Sequence, residues 1–243
     1  MDFGKFISGI KNNFKAILQS LKYRNYRLFF IGQSISLIGT WMQVIAISWL
    51  VYDLTSSALL LGLVGFFSQI PSFFLTPFSG VFIDRWNRHR ILIITQTLSM
   101  IQAFILAFLT LTGIINVWHI IILSLGLGLV NAFDMPARHA FVVEIVEKRS
   151  DLSNAIALNS SIVNSARLIG PAIAGILVAV VGEGFCFLIN GITFMSVLVA
   201  LLAMRIKKVS KNKYSNNIVQ DIKEGFRYAF GFVPIRSKAY LKP

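Results

Sequence analysis

The sequence has little cysteine and little charge. Its 243 residues include one cysteine, Cys186, so an internal disulfide is impossible and a disulfide-stapled secreted scaffold is excluded. Charged residues make up 14% of the chain, whereas a soluble domain carries about 25%. Hydrophobic residues make up 56%, more than a soluble globule of this length could bury. These proportions also exclude a disordered segment and a coiled coil, and they favour a polytopic membrane protein.

Several long stretches contain no Asp, Glu, Lys or Arg. They are residues 28–52, 54–83, 91–133 and 184–204, and residues 152–182 are interrupted only by Arg167. A helix needs ~20 apolar residues to cross the hydrocarbon layer, and the stretch 91–133 could hold two helices with a turn at 113–116. We therefore predict an all-α membrane protein with six spans, near residues 28–52, 58–83, 91–112, 117–135, 154–181 and 185–205. Strands of a lipid-facing barrel would be shorter, at about 10 residues, and would alternate in polarity.

Basic residues outnumber acidic ones, 23 to 10, which taken alone would suit nucleic-acid binding. Their positions argue against that partner. Lysine and arginine lie before the first span, after the sixth, and in the connections 84–90 and 136–153, whereas the connections 53–57, 113–116 and 182–184 contain neither. This alternation is the positive-inside pattern, so we predict a multi-pass protein of the bacterial inner membrane with both termini in the cytoplasm. The expected partner is the lipid bilayer.

The two ends of the chain differ from the spans. Apolar residues recur at helical spacing over residues 1–22 and no cleavage site follows, which predicts an amphipathic helix on the inner membrane surface rather than a signal peptide. A leader without a role is the alternative. We divide the chain into a cytoplasmic amphipathic segment (1–24), a six-helix bundle (25–205) and a cytoplasmic connector (206–243) with an amphipathic run at 218–230.

The turn after the second predicted span, residues 80–90, combines a glycine, an aspartate and three arginines. Gly80 permits close helix packing, and Asp84 is placed to cap the next helix, whose N-terminus favours an anion. Arg85 and Arg88 are expected on the cytoplasmic side. A basic loop that only fixes topology is the alternative.

Small residues recur in the fifth predicted span. Ala166, Gly170 and Ala174 are four apart and therefore share one helix face. Small residues at this spacing let two helices approach closely in lipid. Pro171 removes a backbone hydrogen bond and can bend the helix. Plain helix packing is the alternative to a specific motif.

The turn 80–90 resembles the loop between helices two and three of the major facilitator superfamily. The matching positions are Gly80, Asp84, Arg85, Arg88 and Leu92. Asn87 stands where that pattern has a glycine, and Asn tolerates a left-handed backbone better than most residues. The resemblance implies the N-terminal six-helix bundle of that fold. It also implies that the first four matching residues form a conformational latch, with Asp134 as an added acidic partner.

The fifth span resembles the exporter motif of the same superfamily. Its positions are Ala166, Gly170, Pro171, Ala174 and Gly175, with the two alanines in place of glycines. Residues 131–138, 154–160 and 166–171 are similar to the enterobactin-exporter type of member. The resemblance implies a secondary active transporter that exports a small molecule, such as a siderophore, drug or metabolite, by proton antiport.

Arg167 is the charged residue that the predicted spans place deepest in the membrane. A charge at that depth costs at least ~2.5–3.5 kcal/mol on insertion scales, so it should face a polar cavity or a partner. We expect it to line the substrate path and to meet an anionic or polar substrate; the alternative is a packing role on backbone carbonyls. Weaker candidates for the path, with interhelical packing as the alternative, are Asn159, Asn131, Trp41 and Gln43.

Signatures of other chemistry do not stand out in the sequence. We find no nucleophile–base pair, paired carboxylates or Walker loop, so we predict no enzyme activity. His89, His119 and His139 are dispersed, so we expect no metal or cofactor site.

Superfamily members usually have twelve spans in two six-helix halves, with the substrate between them. Six spans are predicted here, and residues 233–236 resemble the approach to a seventh. We expect a chain truncated before that span. The alternatives are a half-transporter that pairs with a second six-helix half, and a non-transporting fragment or scaffold.

Overall fold

The computed structural model describes residues 19–206, which form six long helices. The helices are α1 (Arg24–Thr55), α2 (Ala58–Arg85), α3 (Arg88–Leu111), α4 (Val117–Ile145), α5 (Leu152–Val181) and α6 (Glu183–Ala203). Short 3-10 turns at Gln19–Lys22 and Arg149–Asp151 precede α1 and α5. Each of the six helices contains a stretch long and apolar enough to cross a membrane, which confirms the predicted all-α bundle of six spans. The amphipathic helix predicted before residue 19 and the connector beyond residue 206 lie outside the described residues.

Helix α4 is longer than the sequence predicted. We expected it to end near residue 135, but it continues through Pro136 to Ile145, which moves Arg138 from a connection into the helix. Packing stabilises the added turns, because Ala137, Phe141 and Ile145 are buried in the core. The span length was predicted from hydrophobicity, and the uninterrupted apolar run ends at Asp134, before these added turns.

The turn between α2 and α3 corrects two expectations. Asp84 lies inside α2, which continues to Arg85, so it does not occupy the N-cap position of α3. The cap is Asn87, whose side-chain oxygen accepts a hydrogen bond from the backbone N–H of Arg90 at 3.1 Å. Asn87 has a φ of −73°, so its contribution here is the side-chain cap and not a left-handed backbone.

The helices pack in the spatial order α5, α1, α6, α3, α4, α2. Helix α1 contacts both α5 and α6, and α4 contacts both α3 and α2. Helices α2 and α5 therefore lie at the two ends of the series. In each of the six helices, a fraction of the most apolar stretch is buried against the rest of the bundle. This fraction is smallest in α2 (11%) and α5 (22%), so each of these two helices has an open outer face within this chain.

Two apolar cores lie at opposite ends of the bundle. One includes Tyr26, Phe29, Phe141 and Leu201. There Phe29 meets Phe141 edge-on, with ring centroids 5.5 Å apart. The other includes Met42, Leu106, Cys186 and Phe187. Cys186 is fully buried and packs as a small hydrophobic residue.

Candidate functional site

A cation and an aromatic ring meet halfway along the bundle. Arg167 lies at the middle of α5 and Trp41 near the middle of α1, helices of 30 and 32 residues. The guanidinium carbon of Arg167 lies 4.7 Å from the centroid of the Trp41 ring, within the range of a cation–π contact. Arg167 is exposed in this chain, whereas Trp41 is half-buried. Among residues 19–206 no carboxylate forms an ion pair with Arg167.

Small residues of α5 bring the two helices together at this point. The buried ones include Ala166, Gly170 and Ala174. A Cβ on Gly170 would lie 2.6 Å from the Cβ of Trp41 and 2.9 Å from the carbonyl oxygen of Ile38, so a larger residue would push the helices apart. A Cβ on Gly175 would meet nothing within 4 Å, and Pro171 lies inside α5 without ending it. The small-residue face therefore sets the spacing at which the guanidinium reaches the indole ring.

A polar track leads from this pair toward the start of α5. Ser160, Asn164 and Arg167 are exposed and lie at i, i+4 and i+7, so they share one helix face. Beside Ser160 a cleft of about 170 Å³ opens between α4 and α5. Its lining residues are His139, Val142, Val143, Ile156, Asn159 and Ser160. The predicted path residue Asn159 thus lies in a cleft on the helix that carries Arg167.

The other two predicted path residues have different surroundings. Asn131 is exposed at the middle of α4. Gln43 is buried, and its Oε1 accepts a hydrogen bond from Nδ2 of Asn190 in α6 at 2.7 Å. The Nε2 of Gln43 donates to Oε1 of Gln102 in α3 at 3.0 Å. Gln43 therefore joins three helices inside the bundle and is not brought together with the cation–π pair.

The residues predicted to form the latch lie around the turn between α2 and α3. Nη1 of Arg88 lies 3.6 Å from Oε2 of Glu144 near the end of α4. Arg85 ends α2 and is half-buried, and the side chain of Asp84 is not among the described ones. A Cβ on Gly80 would meet nothing within 4 Å, so the close packing that we expected at Gly80 does not occur among the described residues. Glu144 was not predicted as a partner of Arg88, because it lies beyond the predicted end of the fourth span.

Asp134 is held by a separate set of partners. Its carboxylate is buried and accepts hydrogen bonds from Oγ1 of Thr95 at 2.7 Å and Nε2 of Gln96 at 2.8 Å. Arg138, one turn further along α4, forms an ion pair with the other carboxylate oxygen. Asp134 therefore connects α3 to α4.

A further polar cluster, the Asp151 clasp, ties the segment before α1 to the start of α5. The buried Asp151 carboxylate lies 2.6 Å from Nζ of Lys22 and accepts a hydrogen bond from the Tyr23 hydroxyl at 2.6 Å. The hydroxyl of Ser20 donates to the side-chain oxygen of Asn154 at 2.8 Å. The hydrogen bond to Asp151 raises the pKa of Lys22 above its ordinary value. The sequence did not predict this clasp, because no local pattern links residues so far apart in the chain.

The three histidines have separate surroundings. Nε2 of His89 lies 2.8 Å from the carbonyl oxygen of Leu201. His119 accepts a hydrogen bond from the backbone N–H of Asn116 at 3.3 Å and completes the cap of α4. His139 lines the cleft between α4 and α5. Within residues 19–206, no group of three His, Cys, Asp or Glu side chains could hold a metal ion.

Comparison with known proteins places this bundle among transporters. A family model described as transmembrane secretion effector, from the major facilitator superfamily, matches residues 16–239. The staphyloferrin A transporter of Staphylococcus aureus is 31% identical over 189 residues, which cover 76% of this chain and 47% of that protein. Macrolide efflux protein A of Streptococcus pyogenes is 26% identical over 216 residues, covering 84% and 52%. The multidrug efflux pump Tap of Mycolicibacterium fortuitum is 22% identical over 204 residues, covering 81% and 50%. The chain spans about half the length of these relatives.

Proposed function

Because the chain belongs to the transmembrane secretion effector family of the major facilitator superfamily, we propose that it is the N-terminal six-helix half of an exporter. Six membrane-length helices and coverage of about half of each relative support this assignment. The relatives are named for transport of staphyloferrin A and for efflux of macrolides and of multiple drugs. The proposed cargo is therefore a small organic molecule that is moved out of the cell across the inner membrane.

The observation that carries the proposal is the exposed charge of Arg167 at the middle of a membrane-length helix. A central arginine costs ~2.5–3.5 kcal/mol on insertion scales. The contact with Trp41 offsets only about 0.5–2 kcal/mol of that cost. The open face of α5 is therefore better suited to a polar path than to lipid. The path is lined by Arg167, Trp41, Asn159 and Asn131.

Two ion pairs near the ends of α3 and α4 are the proposed gating contacts. Arg88 with Glu144, and Asp134 with Arg138, lie toward the ends of α3 and α4 that the charge pattern assigns to the cytoplasm. In an exporter whose two halves rock about a central site, contacts at this end must change as the site opens inward and outward. These ion pairs and the end of α2 together form the proposed latch.

Efflux from cells tests the proposal. The chain is produced alone, and together with the second six-helix half of macrolide efflux protein A, in cells that lack their own efflux pumps. Cells with both halves should accumulate less fluorescein than cells with either half. Arg167→Ala, present in the membrane at equal amount, should abolish the difference, whereas the matched change Arg205→Ala should not. Full efflux by Arg167→Ala would remove Arg167 from the path.

Proton antiport is the proposed driving force. Adding a protonophore to cells that produce both halves should stop efflux, and continued efflux would contradict proton coupling while leaving export intact. The second candidate function is a non-transporting membrane component. It would be favoured if the two halves copurify but fluorescein is not exported.

A further inference from the structure

We propose that Arg167 and Trp41 form a binding site for an organic anion, so that the cargo carries a carboxylate or phosphate group beside an apolar body. This inference rests on the proposed function and names its cargo class. Residues 91–133 and 152–182 contain no Asp or Glu, and among residues 19–206 no carboxylate pairs with Arg167. An indole face orients a guanidinium but does not neutralise it.

The geometry of the pair leaves the guanidinium available. Trp41 contacts it at 4.7 Å from the ring centroid, and the arginine side chain is exposed on the side away from the core. A guanidinium stacked on an aromatic ring keeps its N–H donors at the edge of the stack, where they match the two oxygens of a carboxylate or phosphate. Trp41 therefore holds the arginine in a position suited to bidentate anion binding.

The surroundings fit the same ligand class. The polar side chains between Arg167 and the cleft, Asn164 and Ser160, are neutral, and the titratable residue of the cleft lining is His139. The cleft walls are apolar, formed by Val142, Val143 and Ile156. A cation would be repelled by Arg167. An anion with an apolar body would place its charge on Arg167 and its body along these walls.

The carboxylate that meets Arg167 could come from the cargo or from a side chain of the second six-helix half. The observations favour the cargo, because Arg167 shares one exposed face of α5 with a polar track that ends in a cleft. A purely structural ion pair between the halves would need no such track. Benzoate titration with and without the second half separates the two sources.

The fluorescence of Trp41 reports on the site directly. In the full chain, three of the four tryptophans, Trp49, Trp86 and Trp118, are replaced by Phe, so that Trp41 alone emits. The protein in nanodiscs is titrated with benzoate and with its uncharged isostere benzamide. Benzoate should change the emission saturably, because its carboxylate neutralises the cation that lies over the Trp41 ring. Benzamide should bind at least about tenfold more weakly, since it lacks the charge that strengthens such a hydrogen bond.

Variants test whether Arg167 causes the preference for benzoate over benzamide. Arg167→Gln should remove this preference. Arg167→Lys should retain part of it, because lysine keeps the charge but not the planar guanidinium. Arg205→Gln removes an exposed cation just beyond α6 and should change nothing. If Arg167→Gln does not fold, the comparison of benzoate with benzamide on the parent chain still decides the question.

Several outcomes would overturn the inference. They are equal affinity for benzoate and benzamide, absence of saturable binding, and unchanged selectivity in Arg167→Gln. Benzoate binding that disappears when the second half is assembled onto the chain would assign the carboxylate to that half, and would overturn the cargo assignment. If benzoate binds but assembled halves export nothing, the exporter proposal fails and the anion site stands. If a neutral cargo is exported and benzoate does not bind, the anion site fails and the exporter proposal stands.

Discussion

Nζ of Lys22 lies 2.6 Å from Oδ2 of Asp151, so the segment that precedes α1 is fixed to the residue that precedes α5. The Tyr23 hydroxyl donates to the same carboxylate. Helices α1 and α5 also meet at their middle, where Gly170 lies against Trp41. The two helices that carry the cation–π pair are thus joined at one end and at the centre, and we expect them to move together.

The Asp151 clasp predicts a local change in protection. Asp151→Asn removes the charge that holds Lys22 while keeping the size of the side chain. We expect backbone amides of residues 19–23 to exchange with solvent several-fold faster, as measured by hydrogen–deuterium exchange and mass spectrometry in nanodiscs. Asp53→Asn, an exposed acid at the far end of α1, is the control and should leave this exchange unchanged. Equal exchange in Asp151→Asn and the parent chain would contradict the clasp.

Gly170 and Gly175 predict opposite responses to the same added methyl group. Gly170→Ala places a Cβ 2.6 Å from the Cβ of Trp41, so it should destabilise the bundle by about 1–3 kcal/mol through overpacking. Gly175→Ala enters open space and should leave stability equal or slightly higher. Thermal unfolding in detergent measures both. Equal midpoints for the two variants would show that α1 and α5 are not in close contact at Gly170.

The Asp134–Arg138 pair predicts a large cost for losing one partner. Asp134→Asn keeps an acceptor for Thr95 and Gln96 but leaves the Arg138 charge uncompensated. Breaking a buried ion pair costs about 3–5 kcal/mol, and the partial exposure of Arg138 favours the lower end of that range. Adding Arg138→Gln should restore part of the loss. The matched control Glu147→Gln, an exposed acid after α4, should be neutral, and a neutral Asp134→Asn would contradict the contacts described here.

Replacing Gln43 should lower the stability of the bundle without changing ligand binding. Gln43→Leu leaves the buried amides of Asn190 and Gln102 without their shared partner, so we expect a loss of about 1 kcal/mol. Benzoate binding at Arg167 should be unchanged. Gln69→Leu, an exposed glutamine on α2, controls for the apolar substitution. Weaker benzoate binding at unchanged stability would instead place Gln43 in the cargo path.

The number of helices and their approximate limits were predictable from the sequence because the thickness of the bilayer sets the length of each apolar run. The extension of α4 to Ile145 and the cap at Asn87 were not, because they depend on packing and on local hydrogen bonds. Hydropathy carries no information about either. The positions of the spans are therefore easier to predict from the sequence than the residues at which the helices begin and end.

The candidate site was predictable to a different extent. Arg167 stood out because a charge in an apolar run has a high energetic cost, and the small-residue spacing indicated a close helix contact at Gly170. The partner helix was not predictable, since nothing in the sequence pairs Trp41 with Arg167. Glu144 and His139 were not recognised as partner and cleft residues because they lie near segment ends, where periodicity is weak.

The cytoplasmic latch and the side to which the Arg167 path opens both depend on how α1–α6 are oriented in the membrane. Single cysteines introduced at Ile114 and at Lys148, both exposed, test that orientation after the buried Cys186 has been replaced by serine. In intact spheroplasts, a membrane-impermeant maleimide should label Ile114→Cys, whereas Lys148→Cys should be labelled only after lysis. Labelling of Lys148→Cys from outside, with Ile114→Cys protected until lysis, would contradict the orientation and the cytoplasmic position of the latch.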